Sequence, residues 1–412
     1  MPLHDATLTR ETVMEAFGET VAALERDDLA SRTVACDALG VGTDDWRRCR
    51  DEMLEDLLQA EEWLAREDAL ARHGDALVDT DGGPEFMPSH PTLALLQSAM
   101  EERLQDVAGH AFQPHDPGWL TVVFERLRAR WRGKAPFVEH RRPDDFRAAL
   151  GERSTVALVS DWGTGNAHAI AVARQIAARA PDHVVHLGDV YYAGTPVEME
   201  RHFLDVWRAF GPRRARYWAL NSNHDMYSGG YGYFQHVLPA FDQPASYFAL
   251  GNHWWQLIGL DSAYVNHTFT TPQMTWLDDQ LTGTTRNVVL THHNLLSQFR
   301  KRGDALEEWL DPWIAAGRIH GWFWGHEHHL VQYAEYRGMK CRCIGHGALP
   351  YVPPDQLRIR EAVAVERMET RPSPLNPERG MHGFALLTFD GPALHIEYVD
   401  ELGGTAWTER WA

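Results

Sequence analysis

The spacing of apolar residues changes character near residue 154. Before about residue 115 they recur at helical intervals. Val13, Ala16, Phe17, Val21 and Leu24 share one face, as do Trp46, Cys49, Met53, Leu57 and Leu58 after a capping Thr43. Leu93, Leu96, Met100, Leu104 and Val107 repeat the pattern, and the stretch from Asp79 to Pro84 reads as a loop. A further helical run over 117–132 ends in Arg126, Arg128, Arg130 and Arg132. With Lys134, Arg141 and Arg142 these form the basic cluster of the chain, a solvated face in which Pro136 and Pro143 mark a linker. The pattern predicts a helical N-terminal region over 1–145 and a second domain over 150–412.

From 154 onward short apolar runs alternate with helical ones. Thr155 to Val159, Val184 to Leu187 and Tyr217 to Leu220 read as strands, with helices at Ala167 to Arg179 and about Val197 to Phe210 between them. This is a β-α-β-α-β series. The later pattern is more all-β: Ser246 to Leu250 pairs with Trp254 to Leu260, and Val288 to Thr291, Ile319 to Trp324 and Cys341 to Ile344 follow. Thr275 to Leu281 and Leu306 to Ala315 read as helices. Pro353 to Gly380 reads as a long loop, and Gly383 to Phe389 with Leu394 to Val399 as a closing hairpin over Asp390-Gly391.

Composition narrows the partners. The chain has 412 residues, 44% hydrophobic with 16 Trp, enough for a large core, and a formal net charge of −19. That charge argues against a nucleic-acid or anionic-membrane surface as the main partner. It leaves room for a small phosphorylated substrate, because bound cations reverse the sign inside a cleft. The four cysteines form no C-x-x-C, and Cys341 and Cys343 read as core residues. The start shows no secretory signal and no stretch reaches membrane-span length, so the sequence predicts a soluble, cytoplasmic protein.

The chemistry sits where strands end. Ile319 to Trp324 runs into Gly325-His326-Glu327-His328-His329. Residues two apart in extended chain point the same way, so His326 and His328 can serve one metal centre. Four more strand ends carry polar groups: Asp161-Trp-Gly163, Gly188-Asp189-Val-Tyr-Tyr192, Asn223-His224-Asp225, and Val289-Leu-Thr-His292. An aspartate after one strand is an ordinary cap; five successive strand ends bearing only Asp, Asn, Tyr and His in these positions are not explained by capping. In open α/β sheets that edge is where ligands bind. Hard oxygen donors with imidazoles suit Fe, Mn, Zn or Co. A bridging carboxylate holds two such ions about 3.5–4 Å apart, where they activate a water and clamp an in-line displacement at phosphorus.

In this order the five motifs resemble those of the calcineurin-like metallophosphoesterases. They are most similar to the purple acid phosphatases, whose second motif carries a tyrosine three residues after its aspartate, here Tyr192. The resemblance spans about 154–400. It implies an α/β (α+β) fold, a four-layer β-sandwich with flanking helices, preceded here by the helical region. It also implies that Asp161, Tyr192 and His328 hold one ion, Asn223, His292 and His326 the other, and that Asp189 bridges them. The first ion would be Fe(III), the second Fe, Zn or Mn. His224 would protonate the leaving alcohol. His293 is either a substrate contact or a packing residue, and Asp225 would orient His224 or a neighbouring histidine.

Ser160 and Ser222 stand where the family has glycine, which bears on turn geometry alone. Tyr191 competes with Tyr192 for the phenol position, and a Tyr192 facing the core would leave an ordinary divalent-metal enzyme. Asn166, His168, Tyr231, Tyr233 and Gly345-His346-Gly347 are weaker candidates for the pocket wall. The function implied is a phosphate monoesterase. The alternative is a phosphodiesterase acting on cyclic nucleotides or lipid headgroup diesters at the same site, and a metal-free interaction scaffold is a third reading.

Overall fold

The computed structural model describes residues 10–26, 43–72, 90–106, 133–283, 285–349, 351, 359 and 361–412. The expected loop at 79–84, the run at 117–132 with its arginines, Val107 and Cys36 lie outside the described residues.

Fourteen strands are described: β1 (Arg147–Ala149), β2 (Arg153–Val159), β3 (His183–His186), β4 (Arg216–Ala219), β5 (Phe248–Gly251), β6 (Trp255–Gly259), β7 (Arg286–Thr291), β8 (Ile319–Trp324), β9 (Leu330–Tyr333), β10 (Lys340–Ile344), β11 (Val365–Met368), β12 (Gly383–Asp390), β13 (Ala393–Asp400) and β14 (Thr405–Trp411). They form two sheets. One has the order β1-β5-β6-β7-β8-β10-β9-β11, the other β14-β13-β12-β2-β3-β4.

Side-chain alternation builds the layers. Along β2, Val156 and Leu158 face a core between the sheets that also holds Leu257, Phe323 and Ile344. Ala157 and Val159 face the opposite way, onto the helix Ala167–Arg179 and the helical segment Pro196–Phe210. On the far side of the other sheet, Val289, Trp322 and Cys341 pack on the helices Thr271–Gln280 and Asp304–Ala315. The result is the expected order of helices, sheet, sheet, helices, a mixed α/β fold.

Arg342 on β10 and Glu409 on β14 join the sheets. The guanidinium meets the carboxylate through two hydrogen bonds of 2.8 and 2.6 Å, with the Arg342 side chain 3% exposed. The Tyr398 hydroxyl and Trp411 Nε1 donate to the same carboxylate (2.7 and 2.9 Å), and Arg342 donates also to the Tyr333 and Cys341 carbonyls. Both buried charges are thus paired and hydrogen-bonded, as burial requires.

Several expectations change. The more all-β second half is built around parallel pairing at the centre of its sheet. β6, β7, β8 and β10 are parallel neighbours, because the helices between β6 and β7 and between β7 and β8 carry the chain back across the sheet. The expected long loop contains β11, an edge strand whose mixed Val365-Glu-Arg-Met368 sequence hides its period. β1, β9 and β14 are likewise too short or too polar to read as strands. The closing hairpin turns at Gly391-Pro392, since Asp390 still pairs with Ala393.

The N-terminal helices Arg10–Arg26, Thr43–Arg72 and Pro91–Asp106 share a core of Val13, Phe17, Trp46, Met53, Leu57 and Met100, while Leu58 is 55% exposed. The helix Pro91–Asp106 is buried on every side from Thr92 to Met100, which places it between two layers instead of on a surface. No helix among the described residues is long and apolar enough to cross a membrane.

The sheet-joining ion pair generates a pH-dependent prediction. Burial raises the Glu409 pKa, but Arg342 outweighs it and the folded value lies below the ordinary 4.5. The pair's contribution is therefore complete above about pH 4.5 and is lost as the pH falls through the lowered folded value. Urea unfolding of Arg342→Ala at pH 7 is expected to show a loss of about 3–5 kcal/mol. The gap between wild type and Glu409→Gln should narrow on acidification below pH 4.5; a gap independent of pH would assign the stability to packing alone.

Candidate metal centre

Five strands bring their carboxyl ends to one edge of the sandwich. Asp161, Asp189 and Asn223 follow β2, β3 and β4 of one sheet; His292, His326 and His328 follow β7 and β8 of the other. The site lies on the seam, and hydrogen bonds cross it. The His326 N–H donates to both Asp161 oxygens (3.2 and 3.0 Å), and His292 Nδ1 donates to the Leu187 carbonyl (3.1 Å).

The turns that aim these side chains are unusual. Asp161, Asp189 and His326 all have left-handed backbone, with φ of 54°, 76° and 64°. Asp and His tolerate that region better than most residues, and such strain gathers at functional sites. Gly325 is required for a different reason: a Cβ there would collide with Ser160 Oγ and the Asp161 carboxylate.

Donor atoms converge in two groups. Those of Asp161, Asp189 and His328 lie within 4.8 Å of one another, and so do those of Asp189, His292 and His326. Asp189 belongs to both. His328 Nε2 is 3.5 Å from Asp161 Oδ1, and His292 Nε2 is 3.3 Å from Asp189 Oδ1. Asp189 Oδ1 is buried without a hydrogen-bond partner.

His292 shows why a cation fits. Its Nδ1 proton is committed to Leu187, so in the neutral ring Nε2 presents a lone pair. That lone pair faces Asn223 Oδ1 at 2.9 Å and the Asp189 oxygen. The Asn223 amide is held this way round because its Nδ2 donates to the Tyr227 hydroxyl (2.9 Å). Burial pushes His292 down to about 4, so the ring does not supply a second proton at neutral pH. Three acceptors meeting with no proton between them are matched by a metal ion. The carboxylates point the same way: burial and the Asp189 charge raise the Asp161 pKa well above the ordinary carboxylate range.

The tyrosine expectation is corrected. Tyr191, not Tyr192, reaches the carboxylates: its hydroxyl donates to Asp189 Oδ2 at 2.8 Å and lies 3.4 Å from Asp161 Oδ1. Burial and the charges of Asp189 and Asp161 raise its pKa well above 10. Tyr192 turns the opposite way and packs on the N-terminal helices and on Ala94, Leu95 and Ala193.

His224 lies beside Tyr191, ring centroids 4.6 Å apart, and its Nδ1 donates to the Tyr192 carbonyl (2.6 Å). The expected partnership of Asp225 with His224 is not formed. Asp225 is buried and accepts the Val190 N–H (3.2 Å), pinning the second motif's loop instead. His293 is fully buried, with Nδ1 against Ser262 Oγ (2.9 Å) and Nε2 unpartnered.

Glu327 points into the protein, where the Tyr333 hydroxyl donates to it (2.7 Å), and burial raises it to about 7. His329 packs on Phe299 and Tyr351. Asn166 caps the helix Ala167–Arg179, His168 pairs with Glu401, and Tyr233 donates to the Ala219 carbonyl. Those three are structural. Gly345 and Gly347 let their loop pack against Asp161 and Ser160.

The sequence reading missed two groups. Tyr227 stands one helical turn after Asn223, a spacing that could have exposed it. His267 comes from the irregular loop after β6; its ring lies 3.9 Å from His293 and 5.5 Å from His326, and the donor atoms of all three lie within 4.8 Å of one another. No periodic signal marks that loop.

The chain was compared with known proteins. No curated protein matches it. Among the solved structures that align with it, the following three each do so at a TM-score below 0.5. The Plasmodium protein GAP50, described as the anchor in the inner membrane complex, is 13% identical and covers 62% of this chain and 88% of its own, with a TM-score of 0.49. Purple acid phosphatase PPD1 from yellow lupin (Lupinus luteus) is 14% identical, covering 63% and 54%, with a TM-score of 0.49. A dimetal phosphatase from Danio rerio is 12% identical, covering 62% and 98%, with a TM-score of 0.42. The family model for calcineurin-like phosphoesterases matches residues 154–330, a span that contains all five strand-end motifs. The match covers somewhat less than half of the chain and identifies residues 154–330 as similar to a calcineurin-like phosphoesterase domain.

Proposed function

We propose that this protein is a dinuclear metal-dependent hydrolase of phosphate monoesters, with 150–412 as its catalytic domain. The observation that carries the reading is Asp189, shared by two converging donor groups and left with an orphaned oxygen between them. Asp161, Tyr191 and His328 would hold one ion, Asn223, His292 and His326 the other, and Asp189 would bridge. When bound, such a pair supplies an activated water and neutralises phosphate charge. A buried phenol gives up its proton only beside strong positive charge, and a phenolate favours a trivalent ion, so we assign Fe(III) to the Tyr191 side and Fe, Zn or Mn to the other.

The remaining roles belong to side chains. His224, fixed through Nδ1, turns Nε2 to the leaving group, and in its doubly protonated, imidazolium form it would pass the Nε2 proton to the leaving oxygen, so that the product is the alcohol and the ring is left neutral with its proton on Nδ1. His293 and His267 present imidazoles to the substrate's side of His326. Asp225 steadies the Asp189 loop. The monoester preference rests on positive charge: Arg300 is close enough to act on Asp161, Tyr191, His326 and His328, and Arg300 with Lys301 acts on His267. A monoester dianion gains more from that than a singly charged diester.

Metal analysis of the purified protein is expected to give close to two ions, and chelation should abolish turnover until metal is restored. A tyrosinate-to-iron absorption band should persist in Tyr192→Phe and vanish in Tyr191→Phe; the reverse would return the phenolate to Tyr192. Replacing His224 with alanine is expected to cost roughly 100-fold or more in turnover of an alkyl phosphate. In a side-by-side assay 4-nitrophenyl phosphate should be hydrolysed faster than bis(4-nitrophenyl) phosphate, and the opposite order would make the protein a diesterase.

A further inference from the structure

The helical region meets the site at Tyr191-Tyr192-Ala193 and at Tyr227, in the short helix Asn223–Tyr227. The buried helix Pro91–Asp106 puts Leu93, Leu96, Ala99 and Met100 into the helical core. Its other side lays Ala94 and Leu95 against Tyr192, Ala193 and Tyr227. Tyr192 is therefore covered by the helical layer while its own backbone belongs to the second strand-end loop.

That backbone is gripped at every peptide group. Glu198 accepts the N–H groups of Tyr192 (2.6 Å) and Ala193 (3.1 Å). His202 Nδ1 donates to the Tyr191 carbonyl (2.8 Å), and His224 Nδ1 to the Tyr192 carbonyl (2.6 Å). The second nitrogen of His202 lies 3.3 Å from Glu101 Oε1, on the buried helix. The His202 ring thus bridges the helical region and the segment that carries the site's phenol.

We propose that the helical region is a working part of the site, with Glu101 and Tyr192 as positioning residues. Glu101 acts through His202 on Tyr191, and the Tyr192 ring, pinned under the helix, fixes the carbonyl that orients His224. The proposal rests on the hydrolase reading above.

The test uses the full chain with Tyr192→Ala, Tyr192→Phe and Glu101→Gln. Turnover is compared on 4-nitrophenyl phosphate, whose leaving group needs little protonation, and on glycerol 2-phosphate, whose leaving group needs it. His224 is followed by its imidazole ¹⁵N shifts, which require no substrate. Tyr192→Ala is expected to lower kcat on the alkyl ester roughly 10-fold more than on the aryl ester. KM should change little and the His224 Nδ1–H tautomer should become mixed. Tyr192→Phe, which keeps the ring, should restore the wild-type ratio and tautomer. Glu101→Gln should shift the tyrosinate absorption maximum without loss of metal. Equal losses on both esters, in step with a lower unfolding midpoint and with the His224 tautomer unchanged, would overturn the proposal. A wild type inactive on both esters would sink the hydrolase reading, while the tautomer comparison would still decide the positioning role.

Discussion

Two carboxylates, Asp161 and Asp189, are buried side by side at the seam of two sheets. Their joint ionisation is unfavourable without positive charge between them, and burial multiplies the cost. Much of the surrounding architecture follows from that demand. The histidines beside the pair are themselves buried, which keeps them neutral and leaves their lone pairs for a cation. Left-handed turns fold the aspartates over the strand ends. Gly325 stays bare because any side chain there would displace the Asp161 carboxylate. Tyr191 lends a proton to Asp189 in the same small space.

The fold meets this demand by dividing the work. Each sheet contributes part of the donor set, so neither holds a centre alone. The sheets are kept in register by an apolar core and by the Arg342–Glu409 pair, where charge is buried but fully satisfied. The contrast between these two buried polar groups is instructive. One has its charges paired and bonded within the protein. The other keeps an orphaned oxygen, Asp189 Oδ1, among converging donors.

Much of this was legible in the residues. The apolar runs ending in Asp161, Asp189, Asn223, His292 and His326 located the strands and the edge at which these side chains converge, because such a run is conspicuous and its polar end abrupt. What escaped has physical causes. Tyr191 and Tyr192 are adjacent and chemically alike, and their surroundings differ through Glu198 and His202 on the next helical segment and through the helical layer about a hundred residues upstream, contacts that no local pattern announces. Asp225 was expected to orient His224 or a neighbouring histidine, whereas Val190 offers it a donor across the loop. His267 sits in irregular chain, where no period betrays a side chain's direction. The edge strands β9, β11 and β14 alternate too weakly, or run too briefly, to stand out from loops.

The cross-seam hydrogen bonds join residues far apart in the chain: Leu187 to His292 across 105 positions, Asp161 to His326 across 165. Contacts of that span form only after most of the chain-entropy cost has been met, so they belong to the late part of folding. The centre is therefore not a local feature that survives in a fragment or a partly opened state. It comes into being with the docking of the two sheets and goes with their separation, so that any ion held there would report, by its release, on the integrity of the whole sandwich.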